Sequence, residues 1–335
     1  MRSILIIQTA FIGDVVLATA LAEKLHRQFP MAAIDFLLRK GNEGLLNGHP
    51  FIREVMVWNK QKQKTWNKFR LLSVIRERDY DLLVNVQRYL ATGLLTAFSG
   101  AARTVGFDLN PMSRLFSHRI PFRLPAGGKE EHEVERNQRL IAHLTEGAAE
   151  RPRLYPSASD IEMTDAYRKA GAYVCIAPAS VRFTKTYPPV KWISFINRIP
   201  DDFRILLIGS GADHALCESI RQEVTQCDRV INLAGALSLL QTAALESHAL
   251  MNYTNDSAPL HLASAMNAPV TAVFCSTTPA FGYGPISDTS HIVQTEASLA
   301  CRPCGDHGKR SCPKGHFLCA ENIRDEQLLG CLPRS

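Results

Sequence analysis

The chain has 335 residues, of which 46% are hydrophobic and 21% are charged. This length suits two domains of ordinary size, and the composition is that of a globular protein with a sizeable core, which excludes a largely disordered chain. A formal net charge of +6 is too small an excess to predict a nucleic-acid partner.

The N-terminal region shows no sign of a targeting segment. The first apolar run, Ile4 to Ile7, has the length of a strand, whereas a secretory signal needs a longer apolar core and a small-residue cleavage site. No stretch reaches the roughly 18 apolar residues of a membrane-spanning helix. We therefore expect a cytoplasmic protein.

The first half of the chain repeats a cycle of apolar strand, polar turn and amphipathic helix. In the first predicted helix, Leu17, Leu21 and Leu25 fall on one face, as the helical period requires. The predicted strands are Ser3–Thr9, Ala33–Leu38, Glu54–Trp58, Asp81–Val86 and Arg103–Val105. The predicted helices are Val15–Phe29, Trp66–Arg78, Tyr89–Phe98 and Glu133–Leu144.

A second half restarts the cycle after Arg151–Asp160, a run with two prolines that we interpret as a linker. Alternating strands and helices predict an α/β fold with parallel sheets, in domains 1–155 and 156–335, with the ligand site between them at the carboxyl ends of the strands. The predicted strands are Ala172–Ala177, Arg204–Ile208, Val230–Leu233, Leu250–Thr254 and Val270–Phe274. The predicted helices are Val190–Arg198, Ala212–Gln226, Ser238–Ser247 and Ala258–Met266.

Gly13 and Asp14 end the turn after the first strand. Glycine permits backbone geometry that other residues resist, and the carboxylate falls in the first turn of a helix, where the dipole favours negative charge. Taken alone, Asp14 is more typical of a helix cap than of a catalytic group. The turn has no GxGxxG fingerprint, which disfavours an NAD site.

Two turns in the second half suit a phosphate group. Small and hydroxyl-bearing residues lead to Thr184 and Lys185, although a single lysine is more often a solvated one and the chain has no GxxxxGK[ST] loop. Asp256 and Ser257 stand where a helix begins, so backbone N–H groups there attract a diphosphate, and a capped core helix is the alternative. His261 is either a buried structural histidine or a group within reach of this turn.

A basic segment contains Lys60, Lys62, Lys64 and Lys68, with two tryptophans among them. One interpretation is a solvated helix face or loop. The other is a patch that meets an anionic partner, such as a phosphorylated lipid or a membrane surface.

Nine cysteines are many for a cytosolic protein, and five of them are scattered, as packing residues or ordinary thiols are. The other four, Cys301, Cys304, Cys312 and Cys319, have the spacing Cys-x2-Cys-x7-Cys-x6-Cys. A structural zinc site, a set of reduced thiols and disulfides formed in air are all compatible with this spacing.

Three motifs occur in an order and spacing that resemble glycosyltransferase family nine, over nearly the whole chain. They are Gly13–Asp14, Thr184–Lys185 with Pro188 and Trp192, and Asp256–Ala263. The family includes the bacterial lipopolysaccharide heptosyltransferases, and the cysteine-rich tail looks most like their heptosyltransferase II branch. The resemblance implies the GT-B fold, with two Rossmann-like domains facing each other across a cleft.

The resemblance also implies an inverting transfer of heptose from ADP-L-glycero-D-manno-heptose to the inner core of lipopolysaccharide. Asp14 would be the general base at the acceptor hydroxyl, and Lys185 would neutralise the leaving ADP. Backbone N–H groups of Ser257 and Ala258 would bind the diphosphate, while Asp256 would hold the turn or touch the donor. These charges and dipoles would replace a divalent metal, so we expect no metal in catalysis.

Domain 1–155 would bind the acceptor, and domain 156–335 would bind the ADP-sugar donor. The implied partners are ADP-heptose, the lipopolysaccharide core with its lipid A, and the cytoplasmic face of the inner membrane as a peripheral contact. The further donor candidates are Thr184 for phosphate, Asp213 for the ribose hydroxyls, and His261. The acceptor candidates are Thr9, Gly13, Lys60, Lys62 and Lys64.

Three departures from the family pattern bear on substrate identity. Ala258 stands where glycine is common, Tyr187 replaces a tryptophan but still offers an aromatic platform, and residues 8–11 replace a run that more often contains arginine or serine. Two alternatives therefore stay open. One is a related enzyme with another nucleotide-sugar donor or surface glycan, and the other is a non-catalytic nucleotide-sugar-binding module.

Overall fold

The computed structural model describes residues 1–60, 64–122 and 131–333, without the side chains of residues 64–67. It divides into two compact units, Met1–Tyr155 and Pro156–Ser335. No helix of the described residues is long and apolar enough to cross a membrane.

The N-terminal unit is built on a parallel sheet whose described strands number six. They are β1 (Ser3–Ile7), β2 (Ala33–Arg39), β3 (Ile52–Trp58), β4 (Leu82–Asn85), β5 (Arg103–Phe107) and β6 (His118–Ile120). In space their order is β3-β2-β1-β4-β5-β6. The α-helices of this unit are α1 (Ile12–Gln28), α2 (Lys64–Glu77), α3 (Leu90–Ala97) and α4 (Glu133–Gln138).

The C-terminal unit repeats this architecture, again with six strands among its described residues. The strands are β7 (Tyr173–Ala177), β8 (Arg204–Leu207), β9 (Val230–Asn232), β10 (Asn252–Asn255), β11 (Val270–Phe274) and β12 (Ser290–Gln294), in the spatial order β12-β11-β10-β7-β8-β9. The α-helices are α5 (Ala158–Lys169), α6 (Pro189–Ile196), α7 (His214–Glu223), α8 (Leu239–Glu246), α9 (Ala258–Ala265), α10 (Leu318–Glu321) and α11 (Asp325–Leu329).

Both sheets have the strand order of a Rossmann fold, in which the first and fourth strands of the unit are neighbours. These neighbours are β1 and β4 in one unit, and β7 and β10 in the other. The order reverses between them, so their carboxyl ends open the crevice in which such folds bind ligands. The turns after β1, β7 and β10 are those that the motifs single out.

The packing explains why these strands form. Every residue of β7 is buried, as a parallel strand covered by helices on both faces must be. The first helix buries Leu17, Leu21 and Leu25 completely. In the C-terminal unit, α6 sets Trp192 and Phe195 against the sheet, where Phe195 meets Tyr253 of β10 edge-on.

The linker prediction is wrong in its last residues, because α5 begins at Ala158. The hydroxyl of Ser157 accepts the N–H of Asp160 at 3.2 Å, and the carboxylate of Asp160 accepts the N–H of Ser157 at 2.9 Å. This reciprocal cap has a sequence signature, Ser-x-x-Asp, that the linker interpretation overlooks. The predicted helix Glu133–Leu144 is also too long, since the α-helix ends at Gln138 and continues as a 3-10 turn, Arg139–Ile141.

Candidate functional site

Asp14 lies in the first turn of α1, directly after the turn that follows β1. Its carboxylate accepts a hydrogen bond from the backbone N–H of Phe11 at 3.1 Å, so the capping interpretation agrees with the geometry. The side chain is nevertheless half-buried rather than enclosed, so a substrate hydroxyl can approach it. Gly13 is the second residue of α1 and has an ordinary helical backbone. The turn therefore does not require the backbone conformation, expected from the sequence, that only glycine adopts easily.

Two of the acceptor candidates meet in this turn. The ammonium of Lys60 donates to both the carbonyl oxygen and the hydroxyl of Thr9, each at 2.9 Å. Burial, with the charge of Arg39, lowers the pKa of Lys60. Lys60 is therefore part of the turn rather than a solvated lysine. Lys62 lies outside the described residues, and so does the side chain of Lys64, the first residue of α2.

Glu133 is a buried carboxyl near Asp14 that the motifs do not reveal. It lies in the first turn of α4, which packs against α1, and it pairs with the guanidinium of Arg136. Burial is the largest influence and raises the pKa of Glu133 to about 7; Arg136 opposes this, and the charge of Asp14 adds to it. Acidic residues at a helix start are common, so the sequence carries no signal for this one.

The other two predicted turns converge in the C-terminal unit. Lys185 ends a one-turn 3-10 helix, Phe183–Lys185, and its ammonium lies 2.7 Å from Oδ2 of Asp256, which directly follows β10. The two side chains are 18% and 9% exposed, respectively. The hydroxyl of Thr277 donates to the same carboxylate oxygen at 2.7 Å. Asp256 thus fixes the position of the Lys185 ammonium.

Asn255 joins the turns, although no motif assigns it a role. Its Oδ1 accepts the N–H of Tyr187 at 2.8 Å, and its Nδ2 donates to the carbonyl oxygens of Ala177 and Ala179, each at 3.3 Å. The side chain is fully buried. A buried amide with three such partners locks the turn after β7 to the end of β10.

The N-terminus of α9 lies next to the Lys185–Asp256 pair. Ser257 has extended backbone and its hydroxyl contacts the carbonyl oxygen of Asn255 at 3.4 Å, while Ala258 is the first helical residue. The first N–H groups of an α-helix have no partner within it, and a proline such as Pro259 is tolerated there because it lacks that group. This helix end suits an anion.

The structure places three other donor candidates in internal contacts. Asp213 accepts the N–H and the hydroxyl of Ser210 at 2.8 and 2.7 Å, so it caps its own turn. His261 is buried within α9 with its ring 6.3 Å from that of Tyr283. Thr184 is 1% exposed.

Tyr187 does not offer the aromatic platform expected from the sequence. Its side chain is completely buried and packs edge-on against Trp192, with ring centroids 5.0 Å apart. The hydrophobic cluster beneath α6 takes up the ring, and only the backbone N–H of Tyr187 contributes to the turn, through Asn255.

The four clustered cysteines line one cavity of about 230 Å³ with His316. All are free thiols. Slight burial raises the pKa of the Cys312 thiol, but hydrogen bonds from backbone N–H groups of the turn that follows it lower the pKa by more. Within residues 1–60, 64–122 and 131–333, no three His, Cys, Asp or Glu side chains are arranged to coordinate one metal ion. The thiols therefore share a cavity without forming a ligand set.

A Rossmann-like unit in which a half-buried lysine lies beside a helix N-terminus is suited to an anionic group such as a diphosphate. Residues 68–313 match the family model of glycosyltransferase family 9 (heptosyltransferase). Since this match covers more than half of the chain, the protein belongs to glycosyltransferase family 9. The predicted family and enzyme class are confirmed.

Individual relatives agree with this assignment. Lipopolysaccharide heptosyltransferase 3 of Escherichia coli is 28% identical over 283 residues, which are 80% of this chain and 82% of the relative. Lipooligosaccharide heptosyltransferase 2 of Haemophilus influenzae is 25% identical over 314 residues, which are 87% and 88% of the two chains. The structure of E. coli ADP-heptose lps heptosyltransferase II has a TM-score of 0.80 and 21% identity, covering 99% of this chain and 97% of its own. This likeness confirms the predicted GT-B fold class.

Proposed function

We propose that the protein transfers heptose from ADP-L-glycero-D-manno-heptose to the inner core of lipopolysaccharide, as the heptosyltransferase II branch does, with inversion and without a catalytic metal. Family membership supports heptose transfer, and the names of the relatives support the ADP-sugar and lipopolysaccharide. The observation that carries the proposal is the Lys185–Asp256 ion pair beside the start of α9, because a held cation next to a helix N-terminus suits a diphosphate.

The C-terminal unit, 156–335, binds the donor in this proposal. When the bond between the anomeric carbon and the diphosphate breaks, negative charge grows on the departing ADP. Lys185 and the N–H groups of Ser257 and Ala258 stabilise that charge, since they are already oriented before the reaction. Asp256 cancels part of the lysine's charge but holds the ammonium in place, so its contribution is positional.

The N-terminal unit, 1–155, binds the acceptor. As the acceptor oxygen forms its bond to the anomeric carbon, the carboxylate of Asp14 takes the hydroxyl proton. Its half-exposed side chain supports this role, and Thr9 and Lys60 shape the turn before it. A base in this position contributes roughly 10²–10⁴-fold to the rate.

The acceptor is an anionic glycolipid, which gives the basic segment a function. Lys62, Lys64 and Lys68 meet the anionic acceptor or the cytoplasmic face of the inner membrane, as a peripheral contact. Lys60 belongs to the turn of Thr9 instead.

A donor screen tests the proposal. Purified protein is offered heptose-deficient lipopolysaccharide with ADP-heptose or with other nucleotide sugars, and the product is weighed by mass spectrometry. We expect addition of one heptose with ADP-heptose alone, and equal rates with and without a chelator. Transfer from another donor would replace the proposed substrate. ADP binding without any transfer would favour the non-catalytic binding module.

Structural zinc at Cys301, Cys304, Cys312 and Cys319 stays a separate prediction. The shared cavity supports it, whereas the thiols do not yet form a ligand set. Elemental analysis of freshly purified protein decides the matter, since about one zinc per chain is required and a ratio near zero contradicts it.

A further inference from the structure

A loop from the cysteine-rich tail lies directly on the turn that carries Lys185. We call residues 301–309 the cysteine loop. The N–H of Thr184 donates to the carbonyl oxygen of Lys309 at 3.1 Å, and the N–H of Lys309 donates to the hydroxyl of Thr184 at 2.7 Å. These two hydrogen bonds join the loop to the turn at Lys309 and Thr184.

Ser276, which follows β11, also contacts Thr184. Its hydroxyl lies 2.9 Å from that of Thr184, and its N–H donates to the carbonyl oxygen of Thr184 at 3.2 Å. The carbonyl oxygen of Ser276 accepts the N–H of Cys304 at 2.8 Å. The cysteine loop is therefore tied at Cys304 and at Lys309 to the structure that surrounds Lys185.

Gly308 allows the cysteine loop to approach the stem of Lys185. A Cβ at Gly308 would lie 2.8 Å from Cγ of Lys185 and 3.0 Å from the hydroxyl of Thr184. Carbon atoms do not come so close without a shift, so any side chain here would displace the lysine stem or the loop. The absence of a side chain at 308 is thus a condition for the present position of Lys185.

We propose that the cysteine loop is a positioning element for the donor site, in which Gly308 and Lys309 hold Thr184 and the stem of Lys185 so that the ammonium meets the diphosphate. The lysine side chain is a flexible chain of four carbons, and it loses considerable conformational entropy when it is held in one position. Packing against the loop restricts the lysine before the donor arrives, so less conformational entropy is lost when the donor binds. This inference rests on the role of Lys185 in the proposed function.

The test compares two glycines with similar backbone. Gly308 has φ +68°, and Gly315, outside the loop, has φ +75° with no atom within 4 Å of the point where a Cβ would lie. Both φ values are ones that alanine rarely adopts, so both substitutions strain the backbone, but only the Cβ of Gly308→Ala comes too close to Lys185. We expect ADP affinity, measured by calorimetry on the full chain, to fall about fivefold to tenfold in Gly308→Ala and to stay within about twofold of wild type in Gly315→Ala.

A double-mutant cycle separates this inference from the proposed function. If the loop acts through the lysine, Gly308→Ala has no further effect on ADP affinity once Lys185 is alanine. An equal loss in both backgrounds, or equal behaviour of the two glycine variants, overturns the inference. Unchanged ADP affinity in Lys185→Ala alone would instead overturn the donor role of the lysine.

Ser276→Ala serves if Gly308→Ala does not fold. It removes the hydroxyl that contacts Thr184 but leaves the glycine contact in place. We expect a loss of about twofold to fourfold in ADP affinity, again absent in the Lys185→Ala background. Wild-type affinity in Ser276→Ala would then overturn the inference.

Discussion

The reactive turns of the two units are held in different ways. In the N-terminal unit, the carboxylate of Asp14 accepts a hydrogen bond from Phe11, three residues before it. In the C-terminal unit, Lys185 is held by Asp256, far along the chain. A local cap can survive an isosteric substitution, whereas removal of one member of a partly buried ion pair leaves the other charge without its partner. A substitution at Asp14 therefore changes the carboxylate alone, whereas a substitution at Lys185 also changes the surroundings of Asp256.

Asp14→Asn should have the largest effect on transfer. An asparagine oxygen can accept the N–H of Phe11 as the carboxylate does, so the melting temperature should change little. Loss of the base should lower the transfer rate by about 10³-fold, while ADP affinity stays near that of wild type. Initial rates with ADP-heptose and calorimetric ADP binding measure the two quantities.

Asp160→Asn is the matched control for this substitution. Asp160 caps α5 through the N–H of Ser157 at 2.9 Å, which repeats the geometry at Asp14 in a place without a proposed role. We expect wild-type transfer in this variant. A fast Asp14→Asn enzyme would remove Asp14 from the mechanism and leave it as a cap.

Lys185→Ala should weaken ADP binding by about thirtyfold to a hundredfold. A charge-assisted contact of about 1.5–3 kcal/mol is lost, and the carboxylate of Asp256 then faces the phosphates without its partner. Asp256→Asn in the same chain removes that repulsion, so the double variant should bind ADP more tightly than Lys185→Ala alone, by about threefold to tenfold. The dissociation constant for ADP is the measurement.

Lys191→Ala controls for general loss of positive charge, since its ammonium donates to the carbonyl oxygen of Glu321 instead. Its ADP affinity should equal that of wild type. If the double variant binds no better than Lys185→Ala, the ion pair does not govern the site as described.

Local periodicity explains why most of the fold can be predicted. The spacing of Leu17, Leu21 and Leu25 identifies α1, and continuous apolar runs identify the buried strands. Short elements escape this reasoning. β6 has three residues, none of them buried, and α10 and α11 have four and five, so neither periodicity nor hydrophobicity marks them.

The candidate site is predictable only where one turn carries its own motif. Asp14, Lys185 and Asp256 each stand in such a turn, but the ion pair between the last two depends on the parallel neighbours β7 and β10. Asn255 and Glu133 have no motif, because their importance arises from burial and from partners brought in by other elements. The local spacing of residues in the sequence does not reveal packing of this kind.

Glu133→Gln tests how the buried carboxyl near Asp14 affects the pH dependence of stability. The pKa of Glu133 is raised to about 7 in the folded protein, mainly by burial, above an ordinary value near 4.5. Folding therefore favours the protonated carboxyl, and wild type loses stability as the pH rises from about 4.5 to 7, by at most about 1.4 kcal/mol per pH unit. Glutamine stays neutral, so the variant does not lose this stability. As the pH rises from 5 to 7, its free energy of unfolding should rise relative to that of wild type by about 1–2 kcal/mol, measured by denaturant unfolding.

Two variants check the cause of this effect. Glu135→Gln changes an exposed carboxyl in the same turn and should keep the wild-type pH dependence. Asp14→Asn removes a negative charge that adds to the effect of burial on the pKa of Glu133, so the loss of stability should shift to lower pH. A flat wild-type profile between pH 5 and pH 7 would contradict the assigned state of Glu133.

The smallest effect concerns the basic segment. There, substitutions at Lys60 and at the other lysines should differ in how the acceptor KM depends on salt. Lys60 is bound to Thr9, so Lys60→Ala should raise the acceptor KM equally at all salt concentrations. Lys62→Ala with Lys64→Ala should raise the acceptor KM about threefold at low salt only, because salt at about 0.5 M screens the attraction between such lysines and an anionic acceptor. Initial rates with lipopolysaccharide acceptor across a salt series decide between them, and a salt-independent wild-type KM would return the segment to an ordinary solvated surface.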